Sequence, residues 1–296
     1  MDSEINRMMS ALKKQQISRR TFLSSLTALA VAGFSVKGRH NSAFAAANSA
    51  PPIPVEAINH MTISVSDPTA SVAWYQGLFG MPIAARQGGT IVLQVGNGPQ
   101  FIAIGGSASD NPRITHYCLE VDNFDHERIV EILAENGVAA TGQSGPLESR
   151  VRMRGEEFGG APSGSPELYF GDPDGIVIQL QDSSYCGGAG LQGEECLATP
   201  EPSPTPGLLN LIEFNHFTLF VEDQPRSIEF YQRLFGMPID TYQGALPVMR
   251  IGSSKQFLAL PAVPPLSGRI HHASLAVENF DVDQIFSLLE GYGLTI

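Results

Sequence analysis

The chain has 296 residues and a formal net charge of −12, a length that suggests about two domains at roughly 150 residues each. Its apolar share of 43% is ordinary for a globular protein with a sizeable core. The acidic balance argues against a nucleic-acid partner, because phosphate binding needs concentrated Lys and Arg. No apolar run approaches the roughly 18–20 residues of a membrane span, so the expected partner is a small neutral or metal-bound molecule.

Residues 1–45 read as a signal rather than as fold. Arg7, Lys13, Lys14, Arg19 and Arg20 form a basic region, Phe22 to Phe34 an apolar stretch, and Ala43-Phe44-Ala45 offers small residues flanking a cleavage point. The run Ser18-Arg19-Arg20-Thr21-Phe22-Leu23 resembles the twin-arginine (Tat) export signal. The plainer alternative is a basic tail before a short hydrophobic helix. The resemblance implies a protein exported already folded, often with its cofactor installed, to the periplasm or another extracytoplasmic space. Without these residues the chain keeps 11 basic and 28 acidic side chains.

The next stretch begins with a strand, Ile58–Val65, whose period-two alternation sets Met61, Ile63 and Val65 against His60, Thr62 and Ser64. Asp67-Pro68 starts a helix as cap and first-turn proline. Val72, Tyr75 and Phe79 are spaced as its buried stripe, and Gly80 ends it. Strands are expected at Thr90–Val95 and Gln100–Ile104. The plan then restarts with a strand at His116–Val121 and a helix at Phe124–Asn136, stopped at Gly137. Further strands are expected near Arg150–Arg154, Glu167–Phe170 and Ile176–Gln181, the last two joined by the turn Asp172-Pro173-Asp174-Gly175.

Residues 183–210, rich in Gly, Pro and Ser, read as a linker. Cys186 and Cys196 within it either close a disulfide loop or remain free thiols; in neither case is chemistry expected of them. Beyond the linker the chain repeats itself. INHMTISVSDPTASVAWYQGLFGMPI at 58–83 returns as FNHFTLFVEDQPRSIEFYQRLFGMPI at 214–239, QFIAI at Gln100 as QFLAL at Gln256, and RITHYCLEVDNFD at Arg113 as RIHHASLAVENFD at Arg269, all at an offset of 156. This is a tandem duplication. The fold class is α+β, with tandem βαβββ units in two copies: a first domain over 46–182 and a second over 211–296, incomplete at its C-terminus. The counterpart of Gln179 falls at position 335 by the same offset, past Ile296. A fragment is expected, because an unfinished sheet would leave an exposed edge.

WYQGLFGM at Trp74, FYQRLFGM at Phe230 and YFGDPDG at Tyr169 resemble the vicinal oxygen chelate superfamily of glyoxalases, ring-cleaving dioxygenases and bleomycin-resistance proteins. The resemblance covers about 56–182 and 213–296. It implies paired units whose sheets curl around a cleft, and it allows a homodimer as well as a single chain whose two copies complete that cleft.

Both histidines of the first copy should face the cleft: His60 with Thr62 and Ser64, and His116 with Cys118 and Glu120. His216 and His272 repeat the arrangement. In the extradiol dioxygenases of this superfamily two such histidines join a glutamate on the last strand to hold iron(II). Here DPDGIVIQL places Gln179 at that position, a neutral amide that binds iron(II) or manganese(II) more weakly. The resemblance therefore implies a divalent metal at His60, His116 and Gln179, or at His216 and His272, the half that usually carries the iron. Thr62, Ser64, Cys118, Glu120 and Gln181 line the cleft as substrate contacts, with Glu120 an alternative metal donor. His271 is expected to face the helices and His126 the solvent.

The leading expectation is an extradiol-type dioxygenase acting on a small, oxygen-chelating, catechol-like substrate. The alternatives are a metal-free binding protein of the bleomycin-resistance type and a glyoxalase-like lyase or isomerase. The last is disfavoured because QFIAI carries no acid where glyoxalases add one.

Overall fold

A computed structural model of the chain describes residues 50–108, 111–197 and 199–295; the signal assigned to 1–45 lies outside them. Residues 50–240 and 248–296 form one compact unit, and the short segment Thr241–Pro247 falls outside it.

The first copy builds β1 (Val55–Ser64), α1 (Pro68–Phe79), β2 (Ile83–Gln87), β3 (Thr90–Gln94) and β4 (Phe101–Gly105), then β5 (Arg113–Val121), α2 (His126–Glu135), β6 (Ala139–Ala140), β7 (Glu148–Arg154), β8 (Ser165–Gly171) and β9 (Val177–Gln181). These strands make one nine-stranded sheet ordered β2-β3-β4-β1-β5-β9-β8-β7-β6. In each unit the first strand runs parallel to the last, β1 to β4 and β5 to β9, and the two units meet where β1 and β5 pair antiparallel. The second copy supplies β10 (Leu211–Phe220), α3 (Gln224–Phe235), β11 (Ile239–Gln243), β12 (Leu246–Arg250), β13 (Phe257–Ala259), β14 (Arg269–Val277) and α4 (Val282–Gly291). Its sheet is ordered β11-β12-β13-β10-β14. The expected α+β plan holds, the second copy giving one full unit and the strand and helix of the next.

Helix starts follow from one device used four times. Asp67, Asp125, Asp223 and Asp281 sit in extended backbone, and each side chain accepts an amide from the first turn, satisfying a donor that the helix cannot. Gly80 and Gly236 close α1 and α3 in the left-handed region, at φ 65° and 68°, where a side chain would be strained. Two expectations need correction. β2 was not anticipated, because IAARQ lacks a clean alternation. The expected stripe Val72, Tyr75 and Phe79 is only half-buried, whereas Gln76 and Leu78 are the fully buried positions of α1. Gln76 is tolerated there because its amide donates to the carbonyl of Met81.

One apolar core joins the halves. Met61, Ile63, Tyr117, Leu119 and Phe170 of the first pack with Phe217, Tyr231 and Phe235 of the second. The Tyr117 hydroxyl donates to the Tyr231 hydroxyl at 3.1 Å, which donates to Asp172 at 3.0 Å. Repeat-related glutamines then tie β1 to β10. Gln100 donates its amide to the carbonyl of Ile58 and accepts from the N–H of Phe214. Gln256 donates to the carbonyl of Phe214 and accepts from the N–H of Ile58. Each side chain thus closes backbone groups on both strands, related by an approximate two-fold.

Candidate functional site

Strand register sets one row of side chains on the face opposite the helices. Arg150 pairs with Tyr169, Tyr169 with Gln179, Gln179 with Cys118, Cys118 with His60, and His60 with Phe101. Directly opposed residues share a face, so His60 and Gln179 flank Cys118 from either side. The small thiol lets them meet across it: His60 Nε2 lies 3.1 Å from Gln179 Oε1. His116, opposite Thr62, completes the expected trio with its ring edge-on to His60 at 5.7 Å between centroids. The structure therefore brings the three together.

Asn59 fixes the proton on His60. Its amide nitrogen donates to Glu120 and to the carbonyl of Tyr185, leaving its oxygen 2.8 Å from His60 Nδ1. Nδ1 must then carry the proton, and Nε2 offers a lone pair toward Gln179. Burial, the charges of His116 and of Arg154 all hold His60 far below the usual histidine range, with Gln179 opposing. His116 is pushed down to about 4, mostly by burial, with Arg150 and Arg152 adding. Both rings are neutral at ordinary pH, as ligation requires. Two donors on one metal at bonds of about 2.1 Å stand roughly 3 Å apart, which matches the His60–Gln179 separation. The buried Gln179 amide nitrogen has no partner, so the same contact is equally closed by turning the amide to donate to His60.

What this half lacks is a free anionic donor and, at His60, an opening. Glu167 is taken by Arg154, 3.1 Å away, and by the hydroxyls of Tyr169 and Tyr185. Glu120 is bound by Asn59 and, chiefly through burial, pushed up to about 7. Among the described residues no three His, Cys, Asp or Glu are placed to hold a metal ion. The supposed linker covers the row. Cys186 and Cys196 are joined as a disulfide, and Tyr185, 1% exposed, lies against His60 and Phe101 at 5.5 and 5.8 Å. Buried Arg154 donates to the carbonyls of Gly187 and Gly188, and Ser165 to that of Gly190. Residues 185–196 are thus packed structure, not free linker. They leave Cys118, Glu120 and Gln181 buried, with Gln181 donating to the carbonyl of Pro166. Thr62 is half-buried, Ser64 buried and His126 half-buried. The residues of the first half do not fit a catalytic metal.

The second half repeats the row without the cover. His216 stacks on Phe257 at 4.4 Å, as His60 does on Phe101 at 4.2 Å, and Ser274 stands opposite it in place of Cys118. Its Nδ1 lies 2.7 Å from Asn215 Oδ1 and its Nε2 3.2 Å from His272 Nε2, with Thr218 Oγ1 also 3.2 Å from that atom. His272 is exposed. His271, assigned to the helix side, reaches it with 2.7 Å between their Nδ1 atoms. Burial, with His272 adding, pushes His216 down to about 4; burial, then His271, lowers His272. Two neutral imidazoles whose Nε2 atoms converge at 3.2 Å have the spacing of neighbouring ligands on one ion, and as in the first half no third His, Cys, Asp or Glu joins them among the described residues.

The family description "Glyoxalase/Bleomycin resistance protein/Dioxygenase superfamily" matches residues 57–180 and 213–292. The chain belongs to this superfamily. No curated protein matches it significantly. Among solved structures, the Mn(II)-bound glyoxalase from Novosphingobium aromaticivorans superposes at TM-score 0.56 with 17% identity, over 82% of this chain and 73% of that one. The 2,3-dioxygenase LapB from Pseudomonas sp. KL28 gives 0.58 and 15%, over 81% and 82%. An extradiol ring-cleaving dioxygenase from B. fuscum gives 0.56 and 14%, over 82% and 63%. At such identities the likeness is one of fold. The superfamily motifs led to the histidines and Gln179 but not to Asn59, Asn215, Phe101 and Phe257, which orient and stack the rings. Their signal was the duplicated Asn-His and Gln-Phe pairs. Arg154, Glu167 and Tyr185 had no such signal, since they have no counterpart within this chain.

Proposed function

We propose that this protein is a metal-dependent enzyme whose centre lies in the second half, with His216 and His272 as ligands of a divalent ion, iron(II) or manganese(II). The substrate class is a small molecule presenting two adjacent oxygens, and the reaction class that of the extradiol-type dioxygenases. The observation that carries this is the contrast between the halves: in the second the oriented imidazole pair has His272 exposed, whereas in the first His60 is buried under Tyr185 and its loop and only His116 reaches a cavity. An ion bound there would act as a Lewis acid on the chelated oxygens. The chain's own part is to keep both imidazoles neutral and aimed, through Asn215, Phe257 and His271. Fold kinship to a Mn(II)-bound glyoxalase and to ring-cleaving dioxygenases supports a metal at the level of the superfamily.

The test is metal content by elemental mass spectrometry on protein made through its own signal. The parent should hold close to one iron or manganese per chain, retained in His60→Ala/His116→Ala and lost in His216→Ala/His272→Ala. We also propose export by the Tat route, for which the intact mass of the same sample should show cleavage near Ala45; an uncleaved chain would refute it. One reading competes: Gln179 in place of a carboxylate and the plugged first row favour a metal-free binding protein. Absence of metal after anaerobic iron(II) loading would decide for it.

A further inference from the structure

Arginines are scarce in this acidic chain, yet Arg113, Arg150, Arg152 and Arg269, four of the eleven Lys and Arg beyond residue 45, line a single cavity of about 1270 Å³. Arg150, Arg152 and Arg154 alternate along β7, so all three project on the histidine face. Their states differ. Arg154 is buried and neutralised by Glu167. Arg152 sits 3.7 Å from the same carboxylate, which already serves Arg154 and two tyrosine hydroxyls. Arg150 lies 5.1 Å over the Tyr169 ring, and Tyr169 meets His116 edge-on at 5.2 Å. Two guanidinium groups thus stand near His116, Arg152 sharing Glu167 with Arg154 and Arg150 with no ion pair among the described residues, at the end of the row that Tyr185 leaves uncovered. Among the described residues Asp67 is the one acidic residue lining the cavity, and it is engaged in capping α1 through Ala70.

Clustered positive charge against low-dielectric walls focuses potential and attracts anions. Guanidinium forks match planar two-oxygen heads in particular. The rest of the wall is mixed: Val65, Ile114, Trp74 and Tyr75 give it apolar surface beside the hydroxyls of Ser66, Ser71, Thr115 and Ser144. A bare inorganic anion would leave that surface unused, whereas an organic body would cover it. We propose that this cavity is a binding site for a small organic carboxylate, its head held by Arg150 and Arg152 and its body against Ile114 and Trp74. The two arginines of β7 belong to the first half, whereas Arg269 and His271 line the cavity from the second; removing metal before the measurement keeps this assignment separate from a metal at His216 and His272.

Titration calorimetry on chelator-treated protein, with benzoate, hexanoate and inorganic phosphate as probes, tests this. Either carboxylate should bind, more weakly as salt rises. Arg150→Gln and Arg152→Gln should each weaken it about tenfold or more, the loss of one charge-assisted pair. Arg86→Gln, whose guanidinium pairs with Glu201 elsewhere, should leave it unchanged, and circular dichroism should show all variants folded. No heat from either carboxylate at about 10 mM, a millimolar constant being the weakest worth assigning, would overturn the proposal. So would affinity unaltered in both β7 variants, and phosphate binding as tightly as the carboxylates would overturn the organic-carboxylate assignment.

Discussion

At the scale of single residues, the protein keeps ionisable groups in the form that the fold prefers. The two kinds of group have opposite consequences for stability against pH. Folded His116, held at about 4, takes up protons later than in the unfolded chain, where a histidine titrates near 6.5. Its contribution is fully present above about 6.5 and is lost as pH falls toward 4. Glu120, raised to about 7, works the other way: the unfolded carboxylate ionises near 4.3, so the folded state is penalised as pH rises from there through about 7. Glu120→Gln keeps an oxygen for Asn59 and removes that penalty. Its melting temperature should exceed the parent's at pH 8 and converge with it near pH 4.5. A constant difference across that window would show that Glu120 is not the titrating group.

At the scale of elements, the loop of residues 185–196 has a role that its composition hides. A chain-entropy account of its disulfide, ten residues apart in sequence, gives roughly 2–3 kcal/mol of stabilisation. Cys186→Ser/Cys196→Ser should lose about that much in urea unfolding, and hydrogen exchange should rise first in the loop. Protection unchanged throughout the loop would mean that Tyr185 and Arg154 alone hold it. Arg154→Met should cost more, about 3–5 kcal/mol, because buried Glu167 would keep only the half-exposed Arg152 at 3.7 Å and the carbonyls of Gly187 and Gly188 would lose their donor. The helices and most strands were legible beforehand, since caps, alternation and the 156-residue offset are local or repeated signals. So were the histidines and Gln179, which lie on one face of β1, β5 and β9, His60 and Gln179 on either side of Cys118. The plug was not. Gly, Ser and Cys have no period, and what holds them is a distant arginine on β7 whose partner strands are read only from the folded sheet.

At the scale of the whole molecule, the halves are joined by one core and by Gln100 and Gln256. Truncating either glutamine leaves a buried backbone donor and acceptor unmatched, at about 1–3 kcal/mol each. Gln100→Ala and Gln256→Ala should each destabilise unfolding by a few kcal/mol, and the double variant by less than the sum, because both act on Ile58 and Phe214. Strict additivity would show that the two crosslinks are independent.

The same exchange sets an order in time. The N–H of Ile58 is closed by a side chain 198 residues further along, so when the first sheet leaves the ribosome its central strand still has an amide to satisfy. Synthesis runs at about 5–20 residues per second, which puts some ten to forty seconds between Ile58 and Gln256. Throughout that interval the nascent first half presents its unfinished junction to whatever else is in the cell, and only the arrival of its duplicate closes it.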